Sequence, residues 1–104
     1  MIRKALLITA VVALIAAASA TDAEALGALT VTVENSQGNP VQGARVTITG
    51  PSGEGVQFTD KFGEADFDYL AEGWYDIEVM KNGATVYDQV YVDDGKRRRH
   101  TIIL

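Results

Sequence analysis

The chain offers little that could do covalent chemistry. Beyond residue 20 it has two serines, Ser36 and Ser52, one histidine, His100, and no cysteine. A serine nucleophile needs a base beside it, and carboxylate acid–base work needs two groups held at different pKa values. Both serines fall in stretches rich in turn formers. His100 falls in a strand pattern beside three arginines. It reads as a surface or rim histidine, and no catalytic residue is expected. One histidine without cysteine does not make the usual zinc ligand set. Asp60, Glu64, Asp93 and Asp94 are oxygen ligands near turns, yet no stretch has the D-x-[DN]-x-[DN]-G order of a calcium loop. No metal and no cofactor are expected.

The aromatic residues are the better lead. In the strand register argued below, Trp74, Tyr87 and Tyr91 share one outer sheet face. Exposed tryptophan and tyrosine can stack on sugars or anchor a protein partner. Tyr69 joins them as a fourth candidate for partner binding. The competing reading is a cross-strand aromatic pair that only stabilises the sheet, by roughly 0.2–1 kcal/mol. Two charge patterns are also visible. Glu64, Asp66 and Asp68 alternate on one face, and Lys96-Arg97-Arg98-Arg99 form a basic run. The acidic stripe reads as a solvated face that discourages edge pairing; the basic run reads either as edge protection or as a dock for an anionic surface or a neighbouring molecule's acidic stripe.

These residues must be positioned by strands. From Ala28 to Glu34, Leu29, Val31 and Val33 alternate with Thr30, Thr32 and Glu34, which is a half-buried strand. Asn35 to Pro40 is dense in turn formers, with Val41 tucked beneath. Ala44, Val46 and Ile48 alternate in a second strand. Gly50-Pro51-Ser52-Gly53-Glu54-Gly55 reads as a loop, since its Gly and Pro content rules out a helix. A short third strand, Val56 to Thr59, is expected to turn Val56 and Phe58 inward. Asp60 and Gly63 supply the next turn. Strand four, Glu64 to Leu70, puts Ala65 and Phe67 inward, with Leu70 capping that face. Glu72-Gly73 turns the chain into strand five, Trp74 to Met80, with Tyr75, Ile77 and Val79 inward.

Asn82-Gly83 suits a two-residue type I′ hairpin, because both positions tolerate positive φ. That fixes the register: Lys81 opposite Ala84, Val79 opposite Val86, Tyr75 opposite Val90, Trp74 opposite Tyr91. One residue fits badly. Asp88 lands inward, opposite Ile77, so it must lie at the rim or be moved by a bulge. Asp93-Asp94-Gly95 ends strand six. Strand seven runs from about Arg97 to Leu104, and Ile102-Ile103-Leu104 leaves its inward face open. Seven short strands without a helix signal make an all-β sandwich or barrel.

The N-terminus has a separate role. Arg3 and Lys4, then the apolar run Ala5 to Ala18, then Ala18-Ser19-Ala20, follow the order of a secretory signal peptide. The run is shorter than the roughly 20 residues that span a bilayer, so no transmembrane segment is expected after cleavage. The divisions are 1–20 signal peptide, 21–27 flexible N-terminus and 28–104 one domain. A mature chain from Thr21 keeps 14 acidic and 7 basic residues, a net charge near −7. That balance argues against nucleic acid, which calls for a broad basic surface. Without cysteine, the exported domain rests on packing alone.

The order Leu29-Thr-Val-Thr-Val, Gly38-Asn-Pro-Val-Gln-Gly-Ala-Arg-Val-Thr-Ile, Thr59-Asp-x-x-Gly, Phe67, Leu70 and Glu72-Gly-Trp-Tyr-Asp-Ile resembles the carboxypeptidase regulatory-like domain. The resemblance spans nearly all of 28–104. It implies a seven-stranded transthyretin-like (prealbumin-like, Ig-like) β-sandwich, usually an accessory module. Two relatives that carry chemistry depart from this sequence. Hydroxyisourate hydrolases need several His and Arg residues and a C-terminal Tyr-Arg-Gly-Ser. Collagen-binding B-type domains that form an internal Lys–Asn bond place the lysine on the first strand, which has none here. The expectation is an exported, periplasmic or secreted, non-enzymatic module that binds a protein or carbohydrate partner. The alternative is a structural subunit that self-associates through sheet edges as a homo-oligomer.

Overall fold

The computed structural model describes residues 25–104. The expected signal peptide, 1–20, lies outside the described residues, as do residues 21–24. The rest is all β, in seven strands: β1 Gly27–Glu34, β2 Arg45–Gly50, β3 Gly53–Phe58, β4 Glu64–Leu70, β5 Gly73–Lys81, β6 Ala84–Val92 and β7 Arg97–Ile103. They form a three-stranded sheet in the order β4-β1-β7 and a four-stranded sheet in the order β3-β2-β5-β6. β1 is antiparallel to β4 and parallel to β7. Every pair in the other sheet is antiparallel. The chain changes sheet at four connections and makes two hairpins, β2–β3 and β5–β6.

Alternation builds the core. Leu29, Val31, Val33, Ala65, Phe67 and Ile102 come from the three-stranded sheet. Val46, Ile48, Tyr75, Ile77, Val79 and Val90 meet them from the other, and all are buried. Val41 packs against this cluster from the turn after β1. Tyr75 is fully buried, so its hydroxyl needs a partner. It donates to the Ala71 carbonyl at 2.6 Å and lies 3.2 Å from Ser52 Oγ. Ser52 Oγ also accepts from the Ala71 N–H at 2.8 Å, tying the β2–β3 turn to the β4–β5 turn.

The turns follow local chemistry. Asp60 Oδ1 accepts from the Phe62 and Glu64 N–H groups, and the Gly63 N–H donates to the Asp60 carbonyl. Gly63 has φ 78°, and a Cβ there would stand 2.6 Å from the Val33 carbonyl oxygen, so only glycine fits. Asn82 and Gly83 have φ 51° and 84°, as a type I′ hairpin requires. The β5–β6 register is the one expected, from Lys81↔Ala84 through Trp74↔Tyr91. On β7, Ile102 is the buried residue and Ile103 is exposed.

Two expectations fail around β3. The stretch 50–55 is not one loop. Only Pro51 and Ser52 lie between the strands, and Glu54 and Gly55 pair with Thr49 and Ile48. The inward face of β3 is also the opposite one. Val56 and Phe58 stand opposite Thr47 and Arg45 on the outer face and are exposed. Gly55 takes the inward place, and a Cβ there would just touch the Phe67 ring, 3.4 Å away. The large ring of Phe67 fills the core space that a β3 side chain would have occupied.

Candidate binding face

Outward residues of the four-stranded sheet form rows across the strands. Val56, Thr47, Glu78 and Tyr87 make one row, and Glu54, Thr49, Asp76 and Gln89 make the next. Small threonines on β2 lie between longer side chains on β3, β5 and β6. The result is an open groove of about 600 Å³, floored by Thr47 and Thr49 and bordered by Glu54, Asp76, Glu78 and Tyr87. Gln89 Nε2 donates to Asp76 Oδ1 at 3.0 Å and fixes that carboxylate. The side chains of Thr47, Thr49, Glu54, Glu78 and Tyr87 make no hydrogen bond or ion pair among the described residues. They can offer hydroxyls and carboxylate oxygens to a ligand.

Three of the four expected aromatic residues share this face. Tyr87 is 74% exposed at the groove, and Trp74 is 62% exposed beyond its end. Tyr91 is half-buried and stands edge-on to Trp74, with ring centroids 5.4 Å apart and planes at 73°. Its hydroxyl donates to Glu72 Oε2 at 2.7 Å. That bond to a carboxylate, the largest influence, pushes the Tyr91 phenol above its ordinary pKa of 10.0. Tyr91 therefore props Trp74, while Trp74 and Tyr87 present open ring faces. Phe58, on the outer face of β3, adds a third exposed ring.

Tyr69 does not join this group. It lies on β4 in the other sheet, 79% exposed and at φ 61°. Between the pairs Gly27↔Leu70 and Leu29↔Phe67, β1 has one residue and β4 has two. Tyr69 is therefore in a bulge, and its left-handed backbone re-aims the side chain outward.

Two charged groupings escaped the sequence reading. Asp88 keeps its inward position opposite Ile77 without a bulge. It lies at the open rim, where His100 of β7 reaches it: Nε2 and Oδ2 are 2.8 Å apart. The hydrogen bond from His100, with a second from the Gln89 N–H, holds the Asp88 carboxyl below its ordinary 3.8. A carboxylate at an inward position in a period-two pattern was the available signal. Its partner depended on β6 and β7 facing each other across the two sheets. The second grouping crosses the outer face of the three-stranded sheet. Arg97 donates to Asp68 at 2.7 Å and to Thr30 Oγ1 at 2.9 Å, and Thr30 donates to Asp66 at 2.6 Å. This network explains why Thr30, an outward residue, is buried.

Comparison with solved structures gives the same architecture. The TIE protein of Bacillus anthracis matches with TM-score 0.69 at 14% identity, over 76% of this chain and 16% of that one. The pilus 2b backbone protein of group B streptococcus matches with TM-score 0.59 at 17% identity, over 74% of this chain and 40% of that one. A proposed carbohydrate-binding protein from Pseudomonas aeruginosa matches with TM-score 0.56 at 13% identity, over 77% of this chain and 89% of that one. The chain thus spans well under half of the first two. At these identities the likeness is one of fold. No curated protein matches the chain in sequence. Residues 28–104 match the carboxypeptidase regulatory-like domain along their whole length, and the chain belongs to that family.

Proposed function

We propose that this chain is an exported, non-enzymatic β-sandwich module that binds a protein or glycan partner through the outer face of its four-stranded sheet. The groove over Thr47 and Thr49 carries the reading. Its volume of about 600 Å³ falls within the range of about 300–1,000 Å³ for small-molecule sites. Hydroxyls and carboxylates that are unpaired among the described residues stand beside open aromatic rings, so the face can both hydrogen-bond to and stack on a sugar ring. The similarity in fold to a proposed carbohydrate-binding protein agrees with this reading. So does the family, whose description is regulatory rather than catalytic.

The test replaces Trp74 and Tyr87 together by alanine and screens a glycan array and candidate surface proteins. Both residues are exposed, so the double variant should keep its melting temperature and lose binding. A double variant that binds as the wild type does would overturn the site.

Export rests on the sequence of residues 1–20, and no helix among the described residues is long and apolar enough to cross a membrane. N-terminal sequencing of the protein recovered outside the cytoplasm should begin at Thr21. Recovery of a chain that still begins at Met1 would count against export by cleavage.

A further inference from the structure

The three-stranded sheet has two free edges of opposite charge. β4 and β7 are its outer strands, and among the described residues each pairs only with β1. β4 carries Glu64, Asp66 and Asp68 on its outer face, while β7 carries Arg97 and Arg99. Unpaired strand edges are templates for another chain. We propose that β7 of one molecule pairs with β4 of a second copy of this chain, and that the contact repeats head to tail.

Strand direction permits it. β7 runs with β1 and β4 runs against it. A second copy set beside the first therefore brings its β4 antiparallel to β7, the geometry of an ordinary antiparallel ladder. Register supports it as well. Thr30 stands opposite Asp66 on one side and Arg99 on the other, so these three share one row. Extending that row across the junction sets Arg99 of one copy opposite Asp66 of the next. Directly opposed unlike charges stabilise a strand pair, and like charges oppose it. The same rule disfavours β4 with β4 and β7 with β7, so symmetric pairing through either edge is rejected.

Arg99 is uncommitted, and Asp66, which takes Thr30 through Oδ1, has its second carboxylate oxygen to offer. The Arg99 side chain has no hydrogen bond or ion pair among the described residues. The Asp66 side chain is 61% exposed and lies 3.7 Å from Arg97, which is engaged more closely by Asp68 at 2.7 Å. Where β4 begins and β7 finishes, two apolar side chains, Phe62 and Ile103, stand exposed. The junction would bring Ile103 of one copy toward Phe62 of the next and cover both.

The four-stranded sheet is one strand wider than its companion. With strands about 4.8 Å apart and sheets about 10 Å apart, each copy must tilt roughly 30° to accommodate it. The row therefore curves, with the three-stranded sheet on the inside. A contact between two different surfaces does not stop at two copies.

Sedimentation of the purified protein over a wide concentration range, at low and at high salt, tests this. Low salt should give species beyond the dimer that shrink as salt rises. R99E and D66R should each lower the association constant by about 2- to 30-fold, through one attraction lost and a similar repulsion gained. An equimolar mixture of the two should associate again, because each supplies the charge that the other reverses. D66N keeps an acceptor for Thr30 and should weaken association without disturbing the fold. Circular dichroism and melting curves identify any variant that fails to fold. A wild type that stays monomeric at low salt, a dimer that grows no further, or a mixture no better than its components would overturn the proposal.

Discussion

At the scale of single residues, the Asp88–His100 pair steepens the loss of stability in acid. Asp88 faces inward from an edge strand, and His100 bridges to it from the opposite sheet. The bond from His100 lowers the Asp88 pKa below 3.8. A carboxylate with a lower pKa folded than unfolded stabilises the fold above the unfolded value. That contribution is lost as pH falls through the folded value. Denaturant unfolding of D88N should therefore show a shallower loss of stability than wild type below about pH 4. At neutral pH, D88N should be the less stable of the two. Asp88 is partly exposed, so the effect is a change of slope rather than collapse. Parallel curves for the two proteins would show that the pair contributes nothing. Tyr91 works in the opposite sense at high pH. Its raised pKa means that the bond to Glu72 contributes below about pH 10 and is lost as pH rises through the folded value.

At the scale of elements, two phenylalanines on facing strands separate inside from outside. Phe67 on β4 is buried, and Phe58 on β3 is 62% exposed. Phe67→Ala should cost about 3–5 kcal/mol. The whole domain of some 80 residues has only about 4–12 kcal/mol by the usual per-residue range. Phe58→Ala should change stability by less than about 0.5 kcal/mol. Equal losses in urea melts of the two variants would contradict the assigned faces. The β5–β6 hairpin gives a second test. A Cβ at Gly83 would meet nothing within 4 Å, so Gly83→Ala should act through φ alone, costing about 1–2 kcal/mol. This hairpin was legible because Asn82-Gly83 permits one turn and the turn dictates every pair beyond it. β3 was not legible. Val56 and Phe58 alternate as a buried face would, but Gly55 and Gln57 hold the inward positions because Phe67 fills the space above them. Part of the proposed binding face could also be read, since Trp74, Tyr87 and Tyr91 follow from the hairpin. The groove could not, because it depends on Thr47 and Thr49 lying between β3 and β5. The surroundings of Tyr69 were not legible, because strand parity says nothing about a bulge or about which sheet a strand joins.

At the scale of the molecule, the proposed ligand face and the proposed assembly edges lie on different sheets. The groove belongs to the outer side of β3-β2-β5-β6, and the junction belongs to the edges of β4-β1-β7. One bond links them, from His100 of β7 to Asp88 at the groove's rim, but among the described residues neither Trp74 nor Tyr87 shares a partner with Asp66 or Arg99: Trp74 leans on Tyr91, while Asp66 and Arg97 meet through Thr30. Sites without shared partners act additively. The Trp74→Ala, Tyr87→Ala variant should therefore associate with the salt dependence of the wild type, and R99E should bind ligand with unchanged intrinsic affinity. Assembly would still alter what a surface experiences. Copies in a row repeat the groove at fixed spacing, so a ligand that reaches two grooves is held more tightly without any new contact. On an immobilised repetitive glycan, R99E should then dissociate faster than wild type, while a short soluble fragment should bind both equally. Should R99E also bind the short fragment more weakly, the two surfaces are coupled through the core, and the separation of roles by sheet fails.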